Sequence, residues 1–452
     1  MREVTPVVAA PAVEPTTLRL SMREKLSYGG GEVAANIGWN MAMGFLLYYY
    51  TDVALLPVAA LGTLMLVTRS LDAAFDVGVG LLVDRTQTRF GKARPYLLFA
   101  AIPFSALIVL TFSTPDITPT GKVIYAYITF GLLGLAYSLL YIPYSAMLPI
   151  MTRDSAEKIQ LGSFRAMGTS AGSIFVYGLT LPIVAWAGGG KTGFLVAALV
   201  MAIATALLAF NVFVNCRERI NVNIPPSTTA ISSSVWRMFR NPAWLIVFIY
   251  GLLMFVKLGI MVPTMPYMAN DVIKHPWVTG VILPMLSIAL LAGGFFADPV
   301  FRRIGVRRAN IYAIVINVAL YALLPLLHHE PKAYIALFAI ANVTVGLQAA
   351  GIFVMLATSV EVHDIRFEKG KEGLLVSGSS FGLKAGTAIG AAITAYALAL
   401  AGYQPTHVTP DAVDAIAWLF YLGQILMALI QLICISFYRF DDTNLLLDRA
   451  HS

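Results

Sequence analysis

The chain has 452 residues, of which 58% are hydrophobic and only 12% are charged, and its mean hydropathy is +0.76. These values exclude a soluble globular domain and indicate a membrane protein, because each spanning helix needs roughly 20 mainly apolar residues. The net charge of +7 is compatible with nucleic-acid binding, but the basic residues lie in alternate loops, as the positive-inside rule describes. We therefore predict a lipid bilayer as the environment and no nucleic-acid partner.

The apolar segments are arranged in two groups of six. Residues 1–25 have no apolar core, and we predict a cytoplasmic tail there and no cleavable signal peptide. Residues 26–214 form a first membrane half and residues 242–438 a second. The apolar runs predict an all-α membrane protein of twelve spanning helices, at about 33–56, 60–83, 96–112, 123–150, 161–187 and 193–214, and then at about 243–267, 277–300, 309–327, 333–357, 374–401 and 411–438.

A polar stretch separates the two halves. Residues 215–241 contain several arginines, two prolines and a serine run, which predicts a central cytoplasmic linker. The loop after the second helix is also strongly basic, whereas the loops at the other ends of the helices carry few basic residues. This distribution places both termini, including the tail 439–452, in the cytoplasm.

An internal repeat relates the halves. Gly80-x-x-x-Asp84 recurs as Gly294-x-x-x-Asp298, and Arg89-x-Gly91-x-x-Arg94 recurs in the same register as Arg303-x-Gly305-x-x-Arg308. Each copy follows the second helix of its half. Parallel six-helix repeats of this kind are typical of secondary transporters.

Charged residues interrupt the second apolar run. Arg69, Asp72 and Asp76 lie within two helical turns, and the spacing of four puts both carboxylates on one face. Charges at bilayer depth are costly and normally face a cavity or a partner. The pattern predicts a cation or proton site. The alternative is a buried ion-pair cluster with Arg69, Arg165 or Lys384 that only fixes helix packing.

Other polar residues inside apolar runs are candidates for substrate contact. Asn36 and Asn40 share one face of the first helix, and amides can both donate to and accept from sugar hydroxyls. Interhelical hydrogen bonding is the alternative. Arg165 and Lys384 are isolated cations in the fifth and eleventh helices. One of them is predicted to recognise a substrate carboxylate or hydroxyls, or else both only balance the charge of the two aspartates.

Two further patterns have competing interpretations. Glu361, His363 and Asp364 close the tenth helix, where they form either part of a gate or a solvated helix end. Gly168-x-Ser170-x-Gly172 and Gly378-x-Ser380-x-Gly382 match the G-x-S-x-G pattern, but both lie within predicted membrane helices. A nucleophile elbow needs a strand before the turn, so we predict helix packing through small residues and no enzyme activity.

The motifs as a set resemble one family. Gly80-x-x-x-Asp84-Arg85 followed by Arg89-x-Gly91-Lys92 resembles the loop between the second and third helices of major facilitator superfamily transporters. Tyr48-Tyr49-Tyr50-Thr51-Asp52-Val53, the run from Arg69 to Asp76, and Thr88–Pro95 are similar to the glycoside–pentoside–hexuronide:cation symporters, such as the melibiose and glucuronide carriers. The resemblance covers about residues 26–438 and implies the major facilitator fold.

The resemblance also implies roles for individual residues. It assigns the coupling cation to Asp72, Asp76 and Ser138, with the two aspartates as metal ligands if the ion is sodium. Phe75 stands where melibiose carriers have an asparagine ligand, which favours a proton. Asn36 and Tyr141 stand where those carriers have two galactoside-binding carboxylates, so α-galactosides are not expected. Substrate contacts are predicted from residues in helices I, IV, V and XI, namely Asn36, Asn40, Tyr141, Tyr144, Arg165 and Lys384, with Trp39 contributing to an aromatic platform.

A cytoplasmic gate is implied by the same resemblance. The two motif copies would hold the second helix of each half against its neighbours in the outward-open state, and an acidic cluster at the end of the tenth helix would lock the gate. The residues assigned to it are Gly80, Asp84, Arg85, Arg89, Gly91, Lys92, Asp298, Arg303, Glu361 and Asp364.

The sequence thus predicts a secondary transporter in the bacterial inner membrane, working as a monomer without a cofactor. It would import a glycoside, pentoside or hexuronide with a proton or sodium ion. A glucuronide is favoured because Asp72, Asp76, Arg165 and Lys384 sum to zero charge, so that one bound cation would leave a positive charge for an anionic sugar. The rivals are a carrier of an amphiphile or lysolipid, a membrane sensor that transports nothing, and an intramembrane enzyme.

Overall fold

The structure is a computed structural model, and it describes residues 19–86, 88–152, 154–220, 231–367 and 372–440. The side chains of Arg69 and Asp84 lie outside the described part, so the predictions that involve them are not followed further. The described part is helical, apart from loops and one isolated bridge between Thr88 and Gly91.

The first half contains six spans. The first is α1 (Met22–Met41), which continues through two π-helical segments, Ala42–Leu46 and Tyr49–Val53. The others are α2 (Val58–Arg85), the broken span of α3 (Arg94–Phe99) and α4 (Ala101–Thr111), α5 (Pro119–Met151), α6 (Ser155–Trp186) and α7 (Gly190–Asn215).

The second half repeats this plan after a short linker helix, α8 (Ile231–Arg240). Its first span is α9 (Pro242–Tyr267), which also continues as a π-helix, Met268–Val272. The remaining spans are α10 (Trp277–Ile304), α11 (Val306–Leu323) with a 3-10 turn at Leu324–Leu327, α12 (Pro331–Arg366), α13 (Glu372–Leu400) and α14 (Pro410–Ser436).

Twelve spans are therefore present in the described chain. Ten of them are long and apolar enough to cross a bilayer by composition. The other two are α1 with its π-helical continuation and α2, of which only Val58–Thr68 is apolar enough to count. These two helices are less apolar because they carry the charged and amide side chains of the site. The predicted all-α, two-half architecture is confirmed.

One predicted boundary was wrong. The first helix begins at Met22, inside the segment predicted as a tail, because Ser21 and Glu24 form a capping box there. The prediction began at Val33, where the apolar run starts. The segment 215–241, predicted as a polar linker, contains α8, an amphipathic helix. A polar sequence can form a helix when one face packs, and Met238 of α8 is 5% exposed.

Glycines allow α9 and α13 to approach closely, as the sequence predicted. A Cβ on Gly386 would lie 2.4 Å from the carbonyl oxygen of Leu252, and one on Gly390 would lie 2.4 Å from that of Val256. Ser170 and Ser380 both lie within helices, α6 and α13. Neither serine follows a strand, so the packing interpretation of both glycine patterns holds.

The repeat is visible in the backbone. Gly91 and Gly305, equivalent in the two halves, both have positive φ, 108° and 80°. We call the face that bears the turn Thr88–Ala93 the basic face, and the other side the opposite face. At the opposite face, hydrogen bonds join the halves: Thr51 to Tyr267 (2.6 Å), Asn270 to Tyr48 (3.1 Å), Thr63 to Tyr396 (2.8 Å) and Tyr403 to Asp52 (2.9 Å).

Candidate functional site

Asp76 is the meeting point of three helices. The hydroxyl of Ser138, on α5, donates to Asp76 Oδ1 at 2.6 Å. The ammonium group of Lys384, on α13, pairs with Asp76 Oδ2. The side chains of Lys384 and Asp76 are 37% and 24% exposed. This ion pair between the two halves is therefore only partly buried. The structure therefore brings together Asp76, Ser138 and Lys384, and their binding of a coupling cation stays a prediction.

Asp72 lies one helical turn away, against α5. It is 8% exposed, and a Cβ on Gly134 would lie 1.9 Å from its Oδ1. Only a glycine at this place lets α5 approach the carboxylate. Asp72, Ser138 and Lys384 together line a cavity of about 230 Å³. Asp72 and Lys384 therefore line a cavity between the halves. An ion-pair cluster that only fixes helix packing would not require such a cavity.

The same cavity has an aromatic wall. Trp39 and Tyr137 line it, with their rings stacked at 4.8 Å between centroids. Tyr137 in turn stacks on Tyr141 at 5.2 Å. Flat aromatic faces can pack against the apolar face of a sugar ring. Trp39 and Tyr141 were predicted from the sequence, but Tyr137 was not, although its position four residues before Tyr141 puts both tyrosines on one helix face.

Arg165 is held by a partner that sequence reasoning missed. Its Nε donates to Glu32 Oε2 at 2.7 Å, and the Glu32 side chain is only 5% exposed. The same guanidinium donates to Tyr141 Oη at 2.7 Å and to Ser145 Oγ at 2.9 Å. Glu32 is absent from the predicted charge balance, because the predicted first helix begins at Val33. The spacing of Glu32, Asn36 and Asn40, four apart, could have revealed it.

The two asparagines of α1 are engaged in protein hydrogen bonds. Asn36 Nδ2 donates to the carbonyl oxygen of Glu32 at 2.9 Å and to its Oε1 at 3.2 Å. Asn40 Nδ2 donates to Ser173 Oγ on α6 at 2.9 Å. The interhelical alternative therefore describes Asn40 in this state. Their contact with substrate stays a prediction.

Tyr144 occupies a different environment from Tyr141. It is 1% exposed, its hydroxyl donates to the carbonyl oxygen of Tyr28 at 2.7 Å, and the two rings stack at 4.8 Å. A Cβ on Gly31 would lie 2.4 Å from the Tyr144 ring. These contacts pack α1 against α5, so we leave Tyr144 out of the proposed substrate site.

The predicted gate residues of the first half lie around one turn. Arg85 and Arg89 are exposed, and the Arg89 guanidinium lies 4.7 Å from the Phe90 ring centre. Lys92 is held by Glu218, which was not predicted from the sequence. Its carboxylate accepts from the backbone N–H groups of Lys92 (2.8 Å), Ala93 (2.8 Å) and Arg94 (3.0 Å). The motif turn is thus fixed to the segment after α7. Gly80 is not required by close packing, because a Cβ there would meet no atom within 4 Å.

The second copy of the motif is more open. Asp298 accepts from Arg302 Nε at 2.9 Å, and both side chains are more than 70% exposed. Arg303 and Glu361 are also exposed, whereas Asp364 is half-buried. His363, predicted beside them, is 1% exposed and stacks on Phe367 at 5.2 Å. The role of these residues as a gate stays a prediction.

A second, larger cavity lies at the opposite face. Its volume is about 630 Å³, and it is lined mainly by apolar and aromatic residues of both halves, including Phe194 and Trp277. Tyr48, Asn270 and Thr279 also line it. Its lining residues differ from those of the cavity beside Asp72, and they include none of the predicted charged residues.

Twelve spans in two equivalent halves, with ionisable side chains and a cavity between the halves, define a secondary transporter of the major facilitator fold. The sequence profile described as "MFS/sugar transport protein" matches residues 27–442. The chain belongs to this family, and within it to the glycoside–pentoside–hexuronide:cation symporters. It is a multi-pass membrane transporter.

Curated relatives and solved structures agree with this assignment. The chain is 32% identical to a putative glycoside/cation symporter of Escherichia coli over 94% of each chain. It is 30% identical to an isoprimeverose transporter of Lactiplantibacillus pentosus, covering 96% of this chain and 92% of that protein. The nucleoside transporter NupG shares the fold, with a TM-score of 0.66 at 13% identity over 91% of this chain and 99% of the other.

Proposed function

We propose that this protein imports a glycoside, pentoside or hexuronide by symport with a proton or sodium ion, and that a glucuronide or related uronide is the preferred cargo. The observation that carries the proposal is the ion pair between Lys384 and Asp76, beside Asp72, at the wall of the 230 Å³ cavity. A relative that is 31% identical over 94% of this chain is described as a glucuronide carrier protein homolog, which supports the cargo class.

Lys384 links the ion to the substrate in this proposal. Without a coupling ion, its ammonium group neutralises Asp76. A proton on Asp76, or a sodium ion held by Asp72, Asp76 and Ser138, removes that attraction. Lys384 is then free to turn into the cavity that it already lines. Binding of the ion therefore creates the positive charge that the substrate needs, which couples the two.

The substrate preference follows from which cation becomes available. Arg165 already pairs with Glu32, so an anionic sugar would have to displace a buried carboxylate to use it. Lys384 has no such cost once the ion is bound. Its ammonium group can pair with a uronide carboxylate, while Trp39 and Tyr137 pack against the ring. The anionic cargo predicted from the sequence is kept, and of the two predicted cations we assign its recognition to Lys384.

The proposed orientation places the basic face in the cytoplasm, following the positive-inside rule. The hydrogen bonds between the halves at the opposite face then close the outer side. The described structure corresponds to a state that is shut toward the outside. Alternating access requires these contacts to break so that substrate can enter.

Transport by reconstituted vesicles tests the proposal. A labelled uronide is offered with a proton gradient in sodium-free medium, or with a sodium gradient, and it is competed with unlabelled uronide or its uncharged parent glycoside. We expect proton-driven accumulation and stronger competition by the uronide. Strict sodium dependence without proton movement would overturn the preference for a proton. Phe75, which stands where melibiose carriers have an asparagine ligand, would then not exclude sodium.

Lys384→Gln tests carboxylate recognition in the same assay, by comparing the uronide with the uncharged glycoside. The variant is expected to bind the uronide roughly tenfold more weakly, a loss of about 1.4 kcal/mol, with a smaller effect on the uncharged glycoside. Lys191→Gln is the matched control, because Lys191 pairs with exposed Asp116 at the opposite face. Equal weakening of both ligands in Lys384→Gln would reject the role in carboxylate recognition.

A further inference from the structure

A short segment is repeated at the end of the first helix in each half. Tyr48–Val53 reads YYYTDV and Tyr267–Val272 reads YMANDV. The last five residues of the first copy, Tyr49–Val53, and of the second, Met268–Val272, are π-helical. Each copy is followed two residues later by a non-glycine residue with positive φ, Leu55 (58°) and Lys274 (60°). Asp52 and Asp271 therefore occupy equivalent positions in the two halves.

The two copies meet at the opposite face. Thr51 and Tyr267 share a hydrogen bond of 2.6 Å, and Asn270 Nδ2 donates to Tyr48 Oη at 3.1 Å. Tyr403, in the loop after α13, reaches both copies and is itself 4% exposed. Its hydroxyl oxygen lies 2.9 Å from Asp52 Oδ1 and 3.2 Å from Asp271 Oδ2. One phenol thus bridges two equivalent carboxyl groups from the two halves.

The number of protons limits this bridge. A phenol carries one hydroxyl proton, so Tyr403 can donate to one carboxylate at a time. Thr51 Oγ donates to the other oxygen of Asp52 at 2.5 Å, which favours Asp52 as the ionised acceptor. Two ionised carboxylates against one oxygen in a partly buried interface repel each other. Both contacts are hydrogen bonds only if one carboxyl group, that of Asp271 in this arrangement, carries its own proton.

No neighbouring basic side chain in the described ranges neutralises the two carboxylates in place of that proton. The other titratable groups facing the pair are the hydroxyls of Tyr48 and Tyr267. Lys122, from α5, donates to the carbonyl oxygen of Ala54 at 3.0 Å. Lys274 and His275 follow Asp271 on its own segment. Within the described ranges, neither Asp52 nor Asp271 forms an ion pair with a basic side chain.

We propose that Asp52, Asp271 and Tyr403 form a latch that holds the two halves together at the opposite face only while the two carboxyl groups share one proton. The latch is separate from the pair Asp72 and Asp76. It rests on the proposed orientation, in which the opposite face is the outer one. Opening brings both carboxylates into water, where each ionises and the shared proton is released outside. Acidic medium outside therefore closes the outer side.

Labelling of a single cysteine measures the latch without substrate or coupling ion. Thr279 is 1% exposed and lines the cavity that Tyr48 and Asn270 also line, so Thr279→Cys becomes accessible when the halves separate. Cys216 and Cys434 are replaced by serine. Intact cells are treated with a membrane-impermeant thiol reagent from the outside. Because no transport is measured, a failure of the sugar proposal would leave this result unaffected.

The expected result is a pH-dependent labelling rate. One extra proton in the closed state changes the ratio of closed to open forms by up to about tenfold per pH unit. Labelling is expected to be slow near pH 5.5 and at least about tenfold faster near pH 8, after correction for the reagent. The correction comes from Asp116→Cys, in an exposed loop of the same face, which also verifies the orientation.

Variants separate the latch from general loosening. Tyr403→Phe is expected to give fast labelling at both pH values, because nothing bridges the carboxylates. Asp271→Asn keeps the hydrogen bond with a permanent amide proton and should label slowly at both. Tyr396→Phe, which removes another hydroxyl bond between the halves, should keep the pH dependence. Labelling that does not vary with pH in the Thr279→Cys background, or that is unchanged by Tyr403→Phe, would overturn the proposal.

Discussion

At the scale of single residues, the site is defined by how each charge is neutralised. Arg165 and Lys384 are both cations within apolar helices, but their environments differ. The side chains of Arg165 and Glu32 are 26% and 5% exposed, whereas those of Lys384 and Asp76 are 37% and 24% exposed, and Lys384 lines the cavity. The buried Glu32 carboxylate is costly to leave unpaired, so Arg165 is suited to hold α1 against α6. Lys384 is suited to exchange partners.

Glu32→Gln tests the structural role of the first pair. Removing one partner of a fully buried ion pair costs about 3–5 kcal/mol, because the other charge is left uncompensated, and a smaller loss is expected here because the Arg165 side chain is 26% exposed. We expect a clear loss of thermal stability in detergent, and the double variant Glu32→Gln with Arg165→Gln should be less destabilised than the sum of the single variants.

Asp116→Asn provides the control for that measurement. The hydrogen bond from Lys191 lowers the pKa of Asp116, but the carboxylate side chain is 85% exposed. Pairs this exposed contribute little to stability, so no measurable change is expected. Additive losses in the double variant would show that Glu32 and Arg165 act independently.

At the scale of elements, the motif turn between α2 and α3 depends on one glycine and one distant carboxylate. Glu218, which follows α7, accepts three backbone N–H groups at the start of α3. Such donors are otherwise unsatisfied at a helix N-terminus. Gly91 has a φ of 108°, and a Cβ there would lie 2.4 Å from Glu218 Oε2. The turn thus requires glycine for two reasons, conformation and space.

Gly91→Ala and Gly305→Ala separate these two reasons. Each substitution places a side chain on a residue with positive φ. Such a backbone conformation destabilises the folded protein by about 1–3 kcal/mol when the residue is not glycine. A Cβ on Gly305 would have no heavy atom within 4 Å, so its substitution adds backbone strain alone. Gly91→Ala must also displace Glu218. We expect the larger loss of thermal stability for Gly91→Ala, and equal losses would contradict the role of Glu218.

At the scale of the whole molecule, transport requires the two halves to respond to one ion. The Lys384–Asp76 pair joins α13 of one half to α2 of the other. Neutralising Asp76 by substitution should therefore break the link between ion binding and movement. The hydrogen bonds at the opposite face, including Thr51 to Tyr267, would still allow the halves to open and close.

Asp76→Asn and Asp72→Asn test this coupling. Either variant is expected to abolish accumulation against a gradient, while exchange of sugar across the membrane survives better, because it needs no net movement of the ion. The measurement is uptake of labelled substrate with and without an imposed proton or sodium gradient. Accumulation at the wild-type level in both variants would show that the coupling ion binds elsewhere.

The sequence by itself determined the spans, the two halves and the residues most affected by the membrane. Hydrophobic length fixes a span because bilayer thickness is constant, and the repeat of Gly91 at Gly305 was readable because equivalent turns need the same backbone. Asp72 and Asp76 stood out because charges are rare at bilayer depth. These signals are local, since each depends on residues within one helix or one turn.

Only the tertiary structure decided which side chains meet. Lys384 pairs with Asp76 across 308 residues, Arg165 with Glu32 across 133, and Tyr403 bonds Asp52 across 351. Periodicity tells which face of a helix is polar, but the rotation and closeness of neighbouring helices decide what that face contacts. Glu32 was missed because a capped polar turn extends α1 beyond its apolar run, and Tyr403 because its partners come from both halves. Long-range packing, rather than local pattern, sets the pairing of charges in this transporter.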